Sequence, residues 1–263
     1  MLLTDYHTHT QVSPDSETPL TAMAEAAVAA GLDELCITDH CDLLELYGQP
    51  VTGYDWAPAL AQYREIAPRY AGKLTIRLGM EFGMAHLNPQ LSQTILSLPE
   101  LDFVLGSLHN LCPEKGGVDF YYVDYPTPEA CYAALDDYFH SMSLLAVTDF
   151  YDVLGHVIYP LRYMDHPISL ERYTDQLRVI FKAAAERGRG MEINTWRGRT
   201  LEDWLPTLRL FKECGGEIVT TGSDAHTPEG VGKGIREACA LLKEAGFRYV
   251  ATYEKRKPKF HTL

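Results

Sequence analysis

Imidazole and carboxylate side chains recur along this sequence at positions that could bind metal ions. His7 and His9 flank a single residue, so in an extended segment both side chains lie on one face. Six further candidates follow along the chain: His40, Glu81, His109, His156, Asp224 and His226. Nitrogen and carboxylate oxygen ligands suit Zn, Mn or Fe, and no thiolate accompanies them to indicate a purely structural zinc site.

Short apolar runs that favour β-strands precede these candidates. The runs lie near residues 2–6, 34–38, 74–80, 102–107, 153–156, 190–194, 217–222 and 248–252. Segments with helical signals lie between them, at 18–31, 56–70, 88–98, 127–142, 169–187, 201–214 and 232–245. Proline near the start and glycine at the end, as at Pro19 and Gly31, are typical helix boundaries. The alternation predicts an α/β protein with a parallel sheet.

Seven or eight strand–helix units in 263 residues match the length of a (β/α) barrel. An open doubly wound sheet is the alternative, but its glycine fingerprint is missing, and GVGKG at 230–234 follows no strand directly. No linker-like segment divides the chain, which predicts one domain over residues 1–263. Because the carboxyl ends of barrel strands converge on one face, the candidates would form a multinuclear metal site there.

Composition and charge restrict the classes of partner. Acidic residues number 36 and basic residues 23, and the formal net charge of −13 repels a phosphate backbone. No stretch approaches the roughly 18 consecutive apolar residues of a membrane span, and the first residues do not resemble a signal peptide. Six cysteines without a CxxC pair indicate reduced thiols. We expect a cytoplasmic protein without a nucleic-acid or membrane partner, and the oligomeric state stays open.

Six short motifs, taken in order, resemble a known family. They are DYHTHTQVSPDSE, ITDHCD, LGMEFG, GSLH, LGH and TTGSDAH. The set resembles the polymerase and histidinol phosphatase (PHP) family, and within it the stand-alone histidinol-phosphate phosphatases, over nearly the whole chain. The resemblance implies a distorted (β/α)7 barrel of the TIM-like kind, which agrees with the strand count.

The resemblance also implies three divalent ions, either Zn, Mn or Fe, and assigns their ligands. The first ion would take His7, His9, Glu81 and Asp224; the second would share Glu81 and take His109 and His156; the third would take Asp15, His40 and His226. Asp15 stands where many relatives have histidine, and a carboxylate there could shift the preference toward a harder ion. Three such ions, their three carboxylates and a bridging hydroxide leave a charge of about +2 to meet a phosphomonoester dianion.

Arginine side chains complete the expected phosphate site, because the planar guanidinium can bind two phosphoryl oxygens at once. Arg162 follows the fifth predicted strand, and Arg197 follows the sixth. Relatives place an arginine in each of these loops. Some carry the second one where this chain has Trp196, so Arg199 is an alternative to Arg197.

Selectivity is expected from residues 110–127, a long segment rich in acidic and aromatic residues. Histidinol phosphate carries an ammonium and an imidazole, which a carboxylate and an aromatic face would complement. We assign Glu114 and Phe120 to these roles. A tyrosine-rich loop that only packs over the barrel mouth is the alternative interpretation.

These features predict a histidinol-phosphatase, a phosphoric monoester hydrolase of histidine biosynthesis. A metal-bridging hydroxide would attack phosphorus, with Glu81, Asp224, Arg162 and Arg197 in catalytic roles and a small phosphorylated molecule as the substrate. Neither a CxxxxxR nor a DxD phosphoenzyme loop occurs. Three alternatives stay open: the same chemistry on another small phosphorylated metabolite, a nucleotide or phosphotyrosine; an amidohydrolase, although no strand end carries a suitable lysine; and a non-catalytic metal-binding module.

Overall fold

A parallel barrel forms the centre of the molecule, which was obtained as a computed structural model that describes residues 1–199, 201 and 204–263. Its strands are β1 (Thr4–Thr8), β2 (Glu34–Ile37), β3 (His40–Asp42), β4 (Thr75–Gly83), β5 (Phe103–Ser107), β6 (Val153–Leu154), β7 (Gly190–Asn194) and β8 (Val219–Gly222). Seven pair in the order β1-β2-β4-β5-β6-β7-β8, and β3 continues beside β4 where β2 has ended.

The barrel closes where β8 returns to β1. The His9 amide donates to the Ala225 carbonyl oxygen at 2.9 Å, and the Asp224 amide donates to the His7 carbonyl oxygen at 2.9 Å. Lower down, the Thr221 hydroxyl donates to the Thr4 carbonyl oxygen at 2.6 Å. These bonds confirm the predicted nearly closed (β/α)7 arrangement, whose circuit brings the first and last strand ends together.

Helices surround the sheet and largely follow the predicted segments. They are α1 (Leu20–Ala30), α2 (Ala57–Ile66), α3 (Pro89–Ile95), α4 (Pro128–Ala146), α5 (Thr174–Glu186), α6 (Trp204–Glu213) and α7 (Ile235–Glu244). Short 3₁₀ turns cover Ala67–Tyr70, Ala85–Leu87, Pro113–Lys115, Phe120–Tyr122, Tyr159–Tyr163, Glu171–Tyr173 and Pro228–Gly230. The predicted helix 201–214 begins partly outside the described residues.

Two helix boundaries illustrate the local causes. Gly31 ends α1 in the left-handed conformation, at φ 71°, which glycine adopts without steric cost. The predicted helix 56–70 is shorter in the structure, where α2 ends at Ile66. Pro68 lies two residues further and cannot continue an α-helix, because it lacks an amide hydrogen and its ring collides with the preceding turn.

The eighth predicted strand, near 248–252, is not a barrel strand. It forms β9 (Tyr249–Glu254), which pairs antiparallel with β10 (Lys257–Thr262). The two turn residues between them, Lys255 and Arg256, both have positive φ, of 48° and 60°, which matches the twist of a tight hairpin.

This hairpin covers the amino-terminal end of the barrel. The Tyr253 amide donates to the Tyr6 hydroxyl at 2.7 Å, and the Tyr253 ring lies 5.0 Å from the Phe103 ring. The Arg256 guanidinium donates to both carboxylate oxygens of Asp152 at 3.0 Å. The barrel is therefore sealed at this end, and the carboxyl ends of the strands carry the accessible face.

Across residues 1–199, 201 and 204–263, no helix combines the length and the apolar character needed to cross a bilayer.

Candidate metal centre and its cavity

The strand ends bring all nine predicted metal-binding positions to one end of the barrel. His7 lies within β1, Glu81 lies within β4, His40 begins β3, and the remaining six follow strand ends: His9, Asp15, His109, His156, Asp224 and His226. Six of the nine are buried, His40 and His226 are partly buried, and Asp15 is exposed. The structure thus brings together residues that are up to 219 positions apart in the sequence.

Glu81 lies at the centre of this cluster. Its Oε1 lies 2.7 Å from His156 Nε2 and 3.0 Å from His109 Nε2. Its Oε2 lies 3.1 Å from His7 Nε2 and 3.4 Å from His9 Nε2. Burial alone would raise the pKa of Glu81, but the facing imidazoles hold that pKa well below its usual value. His40 Nδ1 also lies 3.3 Å from Oε2, so this oxygen faces three histidines and Oε1 faces two others. Two oxygens that face different histidines are the arrangement a bridging carboxylate requires.

Four buried imidazole nitrogens in this cluster have no hydrogen-bond partner among the described residues: His7 Nε2, His9 Nε2, His40 Nδ1 and His156 Nδ1. His7 Nε2 and His9 Nε2 lie 3.7 and 3.6 Å from Asp224 Oδ1. The opposite ring nitrogens are engaged: His7 Nδ1 lies 2.8 Å from Glu192 Oε1, and His9 Nδ1 lies 3.1 Å from Ser13 Oγ. A ring nitrogen bonded on one side and unpaired on the other is the usual state of a metal-binding histidine. The donor set therefore fits a divalent ion.

Ligand atoms within 4.8 Å of one another define four overlapping groups. They are His7–His9–Asp224, His7–Glu81–His156, His9–Asp15–His40–His226 and His40–Asp42–His109. The first lies within the set predicted for the first ion, the second joins His7 of that set to two ligands of the second ion, and the third adds His9 to the set predicted for the third ion. The fourth contains Asp42, whose Oδ1 lies 2.7 Å from His109 Nδ1.

Asp42 was missed in the sequence, although a signal was present. It lies two residues after His40 in β3, so the two side chains share one face of the strand, just as those of His7 and His9 do in β1. Its Oδ2 lies 3.2 Å from His40 Nδ1. Asp42 thus orients two histidines of the cluster at once.

Glu192 was also missed, and it supports the cluster from below. Besides facing His7, its carboxylate accepts the His156 amide hydrogen at 2.8 Å through Oε2. The side chain is 1% exposed. Gly222 leaves the room for it, since a Cβ there would lie 2.1 Å from Glu192 Oε1. The signal was an acidic residue inside an otherwise apolar strand, where a buried charge requires partners.

Arg162 reaches the cluster from the 3₁₀ turn after β6. Its Nη1 donates to Asp224 Oδ2 at 2.7 Å, and its Nη2 donates to Asn194 Oδ1 at 2.7 Å. The guanidinium carbon lies 5.2 Å from the Tyr159 ring centre and 5.3 Å from that of Trp196. Only 6% of the side chain is exposed. Asp224 therefore directs one oxygen to the histidines and the other to Arg162.

The loop after β7 separates the roles of the two other candidate arginines. Trp196 and Arg197 both adopt positive φ, of 42° and 58°, which non-glycine residues rarely do. Arg197 lines the cavity, and its buried Nε has no hydrogen-bond partner among the described residues. Arg199 is exposed, lies 5.2 Å from the Trp196 ring and does not line the cavity. The geometry favours Arg197 over Arg199.

A cavity of about 590 Å³ opens above the cluster. Besides the residues already described, its wall contains Leu46, Asp119, Tyr121, Tyr122 and Tyr163. Glu114 and Phe120, predicted to bind the substrate, do not line this cavity. Phe120 is fully buried with its ring 5.4 Å from the Tyr138 ring, and Glu114 is exposed on the 3₁₀ turn outside the cavity. Asp119 and Tyr121, the neighbours of Phe120 in the sequence, line the cavity instead.

Comparison with known proteins agrees with this architecture. The family model of the PHP domain matches residues 5–196, which is most of the chain. The chain belongs to the PHP domain family. All but two of the nine clustered positions, Asp224 and His226, lie inside the matched region.

Both the sequence and the structure of this PHP chain are similar to a histidinol phosphatase of Lactococcus lactis subsp. lactis. A protein named histidinol-phosphatase is 28% identical over 271 residues, which cover 96% of this chain and 95% of the relative. A crystal structure of a histidinol phosphate phosphatase, complexed with Zn, L-histidinol and phosphate, superposes with a TM-score of 0.83 at 26% identity. That alignment covers 98% of each chain.

Proposed function

We propose that this PHP protein is a metal-dependent phosphatase that converts L-histidinol phosphate to L-histidinol and phosphate. The proposal rests on the joint placement of Glu81, whose two oxygens face different histidines, and of Arg162 in the wall of the same cavity. The near full-length similarity to a histidinol-phosphatase supports the choice of substrate. We place the reaction in histidine biosynthesis and in the cytoplasm.

The metal-binding role of the cluster is part of the proposal. We assign three divalent ions, of Zn, Mn or Fe, to the nine predicted ligands: His7, His9, Asp15, His40, Glu81, His109, His156, Asp224 and His226. Bound divalent ions lower the pKa of coordinated water to about 7 and neutralise phosphoryl charge. The set that includes Asp15 lies nearest to solvent, because the Asp15 side chain is 52% exposed. The ion held there should exchange most readily.

The chain's own residues prepare the site in three ways. Glu192 and Asp42 fix the ring orientation of His7 and His109. Arg162 holds the Asp224 carboxylate and keeps further N–H groups for a phosphoryl oxygen. Arg197 supplies a second cationic donor from the neighbouring loop.

The cavity wall supports a small substrate. A volume of about 590 Å³ accommodates a phosphorylated amino alcohol, and the wall includes the exposed Tyr121 and Tyr122 and the half-buried Tyr163. The site is therefore assigned to a metabolite in preference to a nucleic acid or a folded phosphoprotein.

Phosphate release from a panel of substrates tests this proposal. The panel for the metal-replete protein contains L-histidinol phosphate, other phosphorylated metabolites, nucleotides, phosphotyrosine and p-nitrophenyl phosphate. We expect the highest kcat/KM for L-histidinol phosphate. Higher kcat/KM for another member would overturn the substrate, and absence of turnover on every member would overturn the phosphatase assignment.

A further inference from the structure

One carboxylate of the cavity wall stands apart from the metal cluster. The acidic side chains that line the cavity are Asp15, Asp42, Glu81, Asp119 and Asp224. Four of them lie within 4 Å of a histidine or arginine nitrogen. Asp119 has no such partner within the described part of the chain, so its charge faces the cavity without a cation.

Backbone contacts hold Asp119 in place. Its amide donates to the Leu46 carbonyl oxygen at 2.9 Å, and its Oδ1 accepts the Tyr121 amide hydrogen at 2.7 Å. The next residue, Phe120, is anchored in the core and donates its amide hydrogen to the His109 carbonyl oxygen at 2.8 Å. Asp119 is thus tied directly to the loop that carries a clustered histidine. Its second carboxylate oxygen accepts no hydrogen bond from the described residues.

The surroundings of Asp119 favour a positively charged ligand. The residue is half-buried, and this burial raises the pKa of its carboxyl group. A partly desolvated carboxylate is stabilised when a cation pairs with it. Tyr121 lies beside it, with its ring 4.9 Å from that of Tyr122 and 5.3 Å from that of Tyr163. Such ring faces attract cations and pack against planar heterocycles.

We propose that Asp119 is the subsite for the ammonium group of an amino-alcohol phosphate, with Tyr121 and Tyr122 beside the remainder of the leaving group. The cavity then carries two recognition regions of opposite charge. Arg162 and Arg197 meet the phosphoryl group, and Asp119 meets the amine. This inference rests on the proposed phosphatase function and specifies which phosphomonoesters the site selects.

A substitution that removes only the charge tests the subsite. Asp119→Asn keeps an oxygen that can accept the Tyr121 amide hydrogen. We expect kcat/KM for L-histidinol phosphate to fall about 10- to 150-fold, the range for loss of one charge-assisted hydrogen bond. For the deamino analogue, 3-(imidazol-4-yl)propyl phosphate, kcat/KM of the variant should stay close to that of the wild type. The control is Asp124→Asn, the same change at an exposed residue two positions after the 3₁₀ turn Phe120–Tyr122. It should leave kcat/KM for both substrates unchanged.

Equal losses on both substrates, or no loss on either, would overturn the ammonium subsite. A second arm of the test measures inhibition of p-nitrophenyl phosphate hydrolysis in the wild-type protein. It requires no turnover of L-histidinol phosphate. L-histidinol should inhibit more strongly than its deamino alcohol, and equal inhibition constants would refute the proposal. If the protein hydrolyses p-nitrophenyl phosphate but not L-histidinol phosphate, the proposed substrate fails, and repeating this inhibition measurement with Asp119→Asn still decides the role of Asp119.

Discussion

Replacement of Arg162 by alanine should weaken both phosphate binding and the positioning of Asp224. The guanidinium donates to Asp224 Oδ2 and to Asn194 Oδ1, both at 2.7 Å, and is almost fully buried between two aromatic rings. The substitution therefore has two consequences. A phosphoryl oxygen loses a charge-assisted donor, and Asp224 loses the contact that directs its other oxygen toward His7 and His9.

The magnitude follows from these contacts. Loss of one charge-assisted hydrogen bond costs about 1.5–3 kcal/mol, which lowers kcat/KM by a factor of about 10 to 150. Looser positioning of Asp224 extends the expected loss toward 1000-fold and weakens metal affinity at that site, by about 10-fold or more. Arg162→Lys should lie between alanine and wild type, because it restores the charge but not the two-pronged geometry.

The assay combines kcat/KM for L-histidinol phosphate, inhibition by inorganic phosphate, bound metal and the melting temperature. Arg199→Ala is the matched control, because Arg199 packs on the same Trp196 ring outside the cavity. It should behave like the wild type. If folded, metal-loaded Arg162→Ala retains wild-type kcat/KM and phosphate inhibition, the proposed clamp is wrong and Arg197 becomes the remaining candidate.

Three further substitutions address the centre itself. Glu81→Gln should abolish turnover, because Glu81 faces histidines with both oxygens. The melting temperature of the metal-free protein should stay near that of the wild type, because the barrel core lies below the cluster. Turnover at the wild-type rate would show that Glu81 is not a bridging ligand. Glu192→Gln should weaken metal affinity about 10- to 100-fold, measured by competition with a chelator, since Glu192 orients His7; unchanged affinity would contradict this role. Gly222→Ala should lower the free energy of unfolding by about 1–3 kcal/mol, measured by denaturant unfolding, and should weaken metal binding. The reason is that the added Cβ would lie 2.5 Å from His7 Cβ. A stable variant with normal metal affinity would show that the site relaxes around the added methyl group.

The barrel and the cluster could be predicted because both depend on strand ends. Apolar runs mark the strands, and a polar residue that follows each run must lie at the carboxyl face of a parallel barrel. His109 and His156 could therefore be assigned to one site from the sequence. In the structure their Nε2 atoms lie 3.3 Å apart. The same logic does not show which runs belong to the barrel. The run near 248–252 has the composition of a strand, but the Lys255-Arg256 turn places it in a hairpin outside the barrel.

The cavity wall was harder to predict because tertiary contacts determine it. Residues 110–127 show no regular period, and which side chains face inward depends on the packing of this loop against the one that follows β3. Gly48 and Gly117 permit that approach, since a Cβ on Gly117 would lie 2.8 Å from the Gly48 Cα. This contact and the anchoring of Phe120 turn Asp119 toward the cavity, and neither can be deduced from spacing along the chain.

Metal titration of the chelated protein tests the central claim most directly. The protein is stripped of metal, its ion content is verified, and Mn or Zn is added back while bound ions and L-histidinol phosphate hydrolysis are measured together. We predict an inactive metal-free protein, recovery of turnover as ions bind, and saturation at three ions per chain. Full hydrolysis in a verified metal-free sample would contradict the account.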